Sequence, residues 1–168
     1  MHHKCYTGIM CDHEKFMRRA IELARQTSIE EKAGGPFGCV IVKDGEIVGE
    51  GSNSVLADGD PTSHAEMNAI RNACKQLGTH DLSGCVVYTT GEPCPMCYAG
   101  CWWARVDSIY YASTIQDAQK YGNFDDAVLF EEVESDIKER KLAGTELLRE
   151  EMLELWDLYH NFPGKVHY

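Results

Sequence analysis

Between residues 37 and 112 the chain alternates short apolar runs of strand length with segments whose apolar residues recur at helical spacing, and this alternation limits the folds open to it. Phe37 to Val42 is an apolar run, Lys43-Asp44-Gly45-Glu46 reads as a hairpin turn, and Ile47 to Ser54 returns as a second strand. After the polar loop Ala57-Asp58-Gly59-Asp60-Pro61, Thr62 or Ser63 is expected to cap a helix carrying Ala65, Ala69, Ala73 and Leu77 along one side. Cys85 to Tyr88 is a short strand of buried type. It passes through Gly91-Glu92-Pro93 into a helix from about Cys94 to Ala104, and Ser108 to Ala112 is a further strand. Upstream, Asp12 is placed to cap an opening helix bearing Phe16, Ala20, Leu23, Ala24 and Thr27, which stops before Gly34-Gly35-Pro36. Downstream, Ala127 to Val133 reads as one more strand and Leu147 to Trp156 as a closing helix. A hairpin followed by strand–helix alternation predicts an α/β fold, a mixed sheet covered by helices on both faces in three α/β/α layers.

The 168 residues are material for one domain, expected over 12–168 behind an N-terminal extension at 1–11. Charge narrows the partners. With 16 Lys+Arg against 27 Asp+Glu the net charge is −11, and between Asp125 and Asp157 there are 12 acidic and 4 basic residues. A protein that tracks a phosphate backbone needs the opposite balance, so nucleic acid is not an expected partner, and the acidic run reads as a solvated helix face. No apolar run approaches the ~20 residues of a membrane span, and Met1 to Tyr6 leads into no signal-peptide core, so a cytoplasmic chain without a membrane partner is expected. Of the eight cysteines, Cys39, Cys74 and Cys85 lie in apolar periodic segments and read as small core residues, while Cys5 and Cys11 carry no readable message. Cys94 and Cys97 form a Cys-x-x-Cys pair, with Cys101 one helical turn further on.

Two stretches carry chemistry. Thr62-Ser63-His64-Ala65-Glu66 opens one predicted helix, and Glu92-Pro93-Cys94-Pro95-Met96-Cys97 opens the next. One imidazole and two thiolates suit zinc, which prefers N and S donors at ~2.0–2.3 Å in a tetrahedron. Cys94 and Cys97, three apart, can aim both sulfurs at one point from a first helical turn, whose dipole favours thiolates. Three protein ligands leave a fourth position open, the mark of a catalytic zinc. A carboxylate at Glu66 can take a proton from a water whose pKa zinc lowers toward ~7, and later deliver it to a substrate nitrogen. The predicted reaction is hydrolytic deamination of a base: hydroxide adds to an electron-poor ring carbon, Glu66 protonates the adjacent nitrogen, and ammonia leaves. Two other readings stay open: a thioredoxin-like redox pair, and a closed structural zinc with Cys101 as fourth ligand in a binding module.

The combination His-x-Glu…Pro-Cys-x-x-Cys is the signature of the zinc deaminases of nucleobases. At these residues the chain resembles the cytidine-deaminase-like superfamily, and within it the bacterial guanine deaminases. The similarity runs from about Asp12 to Tyr168. It includes Gly34-Gly35-Pro36-Phe37-Gly38, Asp60 to Glu66, Glu92 to Cys97, Trp103-Ala104-Arg105, Phe124-Asp125-Asp126 and the ending from Asn161 to Tyr168. The resemblance implies a five-stranded sheet, one zinc per chain on His64, Cys94 and Cys97, Glu66 as proton shuttle, and guanine as substrate. It also implies a homodimer in which the tail, about 145–168, reaches the partner's site. Around the base it implies Phe37 and Trp103 as aromatic walls, Asn53 as a ring-holding amide, Asp126 as an acceptor for purine N–H groups, Ala65 as a further contact and Tyr168 as a lid. Taken as residues alone, Phe37 and Trp103 could equally pack in the core, Asn53 end a strand, Asp126 sit solvated and Tyr168 fray. Asn123, inserted after Gly122, Gly91, where the resemblance implies a bulkier residue, and the extension to Cys11 depart from the family pattern. Guanosine, pterins, aminotriazines, cytosine or cytidine, and the adenosine of a tRNA are the alternative substrates.

Overall fold

A computed structural model describes residues 9–166 of the chain, with side chains from residue 13 onward, so Cys5, the side chain of Cys11 and Tyr168 lie outside the described residues. The chain divides after Leu129 into two compact units, and the first holds the sheet.

Helix α1 (Ile9–Arg25) runs on through a π-helical turn at Gln26–Glu30 and leads to the hairpin of β1 (Gly38–Lys43) and β2 (Glu46–Ser52). Asp44 and Gly45 turn the hairpin with positive φ of 52° and 83°, the conformation a two-residue hairpin turn needs. A short α2 (Val55–Asp58) and then α3 (Ala65–Leu77) follow, then β3 (Cys85–Gly91), α4 (Pro95–Trp103) and β4 (Ser108–Ser113). Among the described residues the sheet has four strands in the order β2-β1-β3-β4, antiparallel except for the parallel pair β3/β4. The mixed α/β/α fold is as expected from the sequence.

Alternation along β1 builds the two faces. Cys39 and Ile41 join Val87, Ala65, Ala69, Cys85 and Cys101 in one core, whereas Val40 and Val42 join Phe16 of α1 and Tyr88 of β3 in the other. Both faces of β1 are therefore covered, and each fully buried Val or Ile contributes on the order of 1.5–3 kcal/mol. The expected core cysteines Cys39 and Cys85 are buried, and Cys74 packs against the same core. A β-bulge between Ile41 and Val42 resets the register of β2 so that Gly49 and Gly51 face α3. A Cβ on Gly51 would stand 2.3 Å from the Ala65 carbonyl oxygen and 2.4 Å from the Ala69 nitrogen, so helix and strand meet backbone to backbone.

Three local expectations change, and one helix is added. Helical spacing continues upstream of Asp12, which lies inside α1 instead of capping it. The N-cap of α3 is His64, not Thr62 or Ser63, because Thr62 donates from its amide and hydroxyl to Asp60 Oδ1 in the preceding turn. Thr114 and Asp117 form a reciprocal capping box that starts α5 (Ile115–Gly122), a helix whose T-x-x-D signal stands in the sequence. Ala127–Val133 is not a strand but part of α6 (Asp126–Glu134), which accounts for four strands in place of five. Its run of Ala, Val, Leu and Phe has no two-residue alternation to mark a strand, and Ala, Leu and Glu favour helix. Taken by itself, the second unit carries α7 (Arg149–Asn161), whose residues are all exposed; Trp156 stands edge-on to Tyr159, and the Tyr159 hydroxyl donates to the Val166 carbonyl at 2.7 Å.

Gly51→Ala is expected to lower the unfolding free energy by about 3 kcal/mol, the upper end of overpacking, because both clashing atoms are backbone. Gly59→Ala, at φ +63° in open space, costs only about 1 kcal/mol of left-handed strain. Urea unfolding of the two variants at pH 7 checks the contrast.

Candidate active site and metal centre

The close packing of α3 on β2 decides where the first two functional side chains stand. His64, at the N-cap with extended backbone (φ −75°, ψ 156°), has an imidazole that is not bound to its own helix end. Its Nδ1 lies 3.7 Å from Cys94 Sγ and 3.5 Å from Cys97 Sγ. Cys94 is the N-cap of α4, Pro95 opens the helix, and Cys97 follows in the first turn. The ligand atoms of His64, Cys94 and Cys97 lie within 4.8 Å of one another. For a tetrahedral zinc with bond lengths of ~2.0 and ~2.3 Å, nitrogen and sulfur should be about 3.6 Å apart, so the three side chains fit the ion. Cys101 is outside this group; it is buried in the core, which pushes its thiol up to about 12.

The electrostatics match a site made for a cation. A hydrogen bond from the Cys97 thiol, the imidazole of His64 and the amide end of α4 hold Cys94 well below the usual thiol range, against its burial. The same hydrogen bond, then burial and Glu66, push Cys97 up. His64 is raised, first by its hydrogen bond to Cys94. Glu66, in the first turn of α3, is 5% exposed; burial raises its pKa, against hydrogen bonds from its own backbone amide and the Thr89 hydroxyl. Thr89 Oγ1 donates to Glu66 Oε1 at 2.8 Å.

These groups open onto a cavity of about 470 Å³, a size suited to a small ligand. His64, Glu66, Cys94, Phe37, Asn53 and Asp126 line it, together with Phe124, Glu92, Gly34, Gly35, Val55, Leu56 and Pro61. Phe37 and Phe124 meet edge to face, centroids 4.9 Å apart at 75°. Asn53 is held on three sides: its amide donates to the Phe37 carbonyl, its carbonyl accepts from Thr27 and its side-chain oxygen accepts from the Gly35 amide at 3.2 Å. Burial raises the Asp126 carboxyl, as does the charge of Cys94. Glu92 accepts from the Ile115 amide at 3.2 Å, tying the metal-cysteine turn to α5. Asn123, the inserted residue, takes the left-handed C-cap of α5 (φ 56°) just before Phe124, and Gly91 leaves the edge of Phe37 the space a Cβ would fill.

The structure thus brings together seven of the predicted site residues, His64, Glu66, Cys94, Cys97, Phe37, Asn53 and Asp126. Two stand elsewhere: Ala65 is fully buried beneath Gly51, and Trp103 is 64% exposed at the end of α4, neither lining the cavity nor packed in the core. No role was expected of Thr89, Phe124 or Glu92, although Glu92 and Phe124 stand in the stretches that carry the resemblance. Thr89 had a local signal, a polar residue on the inward phase of an apolar strand.

Residues 10–113 match the family model described as the cytidine and deoxycytidylate deaminase zinc-binding region. The chain belongs to this zinc deaminase family. Zinc is accordingly its cofactor, with His64, Cys94 and Cys97 as the candidate ligands. Within the family the chain is 43% identical to the guanine deaminase of Bacillus subtilis over 157 residues, covering 94% of this chain and 99% of that one. The crystal structure of that guanine deaminase superposes with a TM-score of 0.88, covering 93% of this chain and 98% of the other. A tRNA-specific adenosine deaminase of Aquifex aeolicus is 41% identical over 100 residues, 60% of this chain and 65% of its own length.

Elemental analysis of the purified protein is expected to give about one zinc per chain. Cys97→Ser and His64→Ala should each lose most of it, while Cys101→Ser retains it.

Proposed function

We propose that this chain is a guanine deaminase, converting guanine and water to xanthine and ammonia. The observation that carries the reading is the span of its kinship: likeness to the Bacillus subtilis guanine deaminase extends over 94% of the chain, whereas that to the tRNA deaminase covers 60%. Charge agrees, since a chain of net charge −11 is ill suited to an RNA backbone. The cavity's volume and its two phenylalanine rings, set edge to face, also suit a free purine.

Zinc bound by His64, Cys94 and Cys97 supplies Lewis acidity and brings the pKa of water toward ~7. The chain's own residues do the rest. Phe37 and Phe124 bind the faces and edge of the ring. Asn53, whose oxygen is already taken by the Gly35 amide, offers its amino group to a ring acceptor. Asp126 accepts hydrogen bonds from purine N–H groups. Glu66 accepts the proton of the attacking water and passes it to the ring nitrogen next to the aminated carbon; it then takes the proton of the newly added hydroxyl and delivers it to the amine, so that ammonia leaves as the carbonyl forms. Its burial keeps the carboxylate out of bulk water, so that transfer runs between the two reactants and not to solvent.

The working unit in this reading is a cytoplasmic homodimer formed by a single deaminase domain, in which the tail at about 145–168 is exchanged and Tyr168 closes the partner's cavity. Exposed Tyr98, Trp102 and Trp103 on α4, and exposed Leu155, Trp156 and Leu158 on α7, are apolar surface for such an assembly to bury. No described helix is long and apolar enough to cross a membrane.

In an ammonia-release screen over guanine, guanosine, adenine, cytosine, cytidine, pterins and aminotriazines, guanine is expected to give the highest kcat/KM. A higher value for any other compound replaces the substrate assignment. Glu66→Gln should keep its zinc and lose activity by about a thousandfold or more, as expected when proton transfer is removed. Deleting Tyr168 should raise KM with the fold intact by circular dichroism.

A further inference from the structure

We propose that Thr89 is a positioning residue for deamination: by donating to Oε1 of Glu66 it leaves Oε2 as the one oxygen that carries protons between water and substrate. The proposal rests on the reading of Glu66 as the proton shuttle and goes beyond it by assigning different tasks to the two oxygens.

Three observations carry it. The bond is short and dry: Oγ1 to Oε1 is 2.8 Å, with Thr89 at 0% and Glu66 at 5% exposure. A threonine hydroxyl has a single proton, so an Oε1 that accepts it cannot also hold a proton toward Thr89 unless the hydroxyl turns round. The support is rigid as well. Thr89 lies in a central strand, paired with Cys39 on one side and Tyr111 on the other, and its branched Cβ restricts χ1. Finally, the two neighbouring threonines divide their work by strand alternation. Thr89 shares with Val87 the face against α3, while Thr90, on the other phase, accepts from the Gly38 amide at 3.1 Å and anchors the segment bearing Phe37. Thr89 is thus not part of that general scaffolding; its hydroxyl is spent on Glu66.

A carboxylate held by one oxygen keeps its second oxygen in a fixed place through the catalytic cycle. Without the hydroxyl it can rotate, and the fraction of time it is aligned for each of its transfers falls. Thr89→Val preserves shape and removes only the donor. Expected are a fall in kcat of about tenfold to a hundredfold, a KM within about twofold of the parent, an undiminished zinc content by elemental analysis, and recovery of kcat in Thr89→Ser to within about threefold. A parental kcat in Thr89→Val overturns the proposal, and so does a loss that Thr89→Ser does not restore or that follows zinc loss, since either marks a packing role. Should Thr89→Val fail to fold, Thr89→Ala against Thr89→Ser gives the same comparison. Glu66→Gln separates the two ideas: full activity there overturns the shuttle reading, whereas an inactive Glu66→Gln beside an unimpaired Thr89→Val overturns only the assignment of Thr89.

Discussion

The contact on which the site depends is the backbone approach of α3 to β2. Gly49 and Gly51 on the strand, with Ala65, Ala69 and Ala73 on the helix, remove every side chain that would hold the two apart. Dispersion and burial are the cohesive terms in such a seam, and its narrowness fixes the helix along its own axis as well as across it. His64 and Glu66 sit at the first turn of that helix, so the packing that begins beneath Ala65 sets where their backbone stands, and the Thr89 hydroxyl then holds the Glu66 carboxylate. The N-cap histidine shows the result: it forgoes the usual capping bond, and its ring is turned toward two sulfurs instead.

The second half of the site comes from a different helix and a different principle. Proline at the first position of α4 needs no amide partner, and the cysteines flanking it stand where the exposed amides of a helix start favour negative charge. Two sulfurs, a buried carboxylate at Glu66 and carboxylates at Asp126 and Glu92 around one cavity make an acidic enclosure facing a single imidazole. Such an arrangement calls for a bound cation, and it favours ligands that present N–H donors over anions. The same acidity recurs over the whole chain, which connects the chemistry of the cavity to the charge read from composition.

Much of the fold was legible before any coordinates, for physical reasons. Strands that are buried on both faces, such as β1, are near-continuous apolar runs, and helices packed on a sheet show one apolar side, so the hairpin, α3, β3 and β4 are visible as periodicity. Where periodicity is weak the reading slips. Ala127 to Phe130 is apolar without a period, and it folds as helix α6. Capping residues mislead when a turn competes for them, as Asp60 does for Thr62. The signature residues of the site were legible because helix starts bring i and i+3 side chains together whatever the surroundings. Phe124 was not, since it reaches the cavity through the placement of α5, a helix whose capping box in the sequence says that it starts but not where it lies.

The sequence by itself determined the chemistry of the ligands, the α/β layering and the acidic character, because these depend on residue type and on short-range spacing. Only the tertiary structure decided which residues share the cavity, that Trp103 stands outside it, and that Thr89 rather than water answers one oxygen of Glu66. These are contacts between segments far apart in the chain, such as Phe37 with Phe124. Their distances follow from how a bulge, two glycines and a row of alanines let the layers close on one another, and no local pattern carries that length.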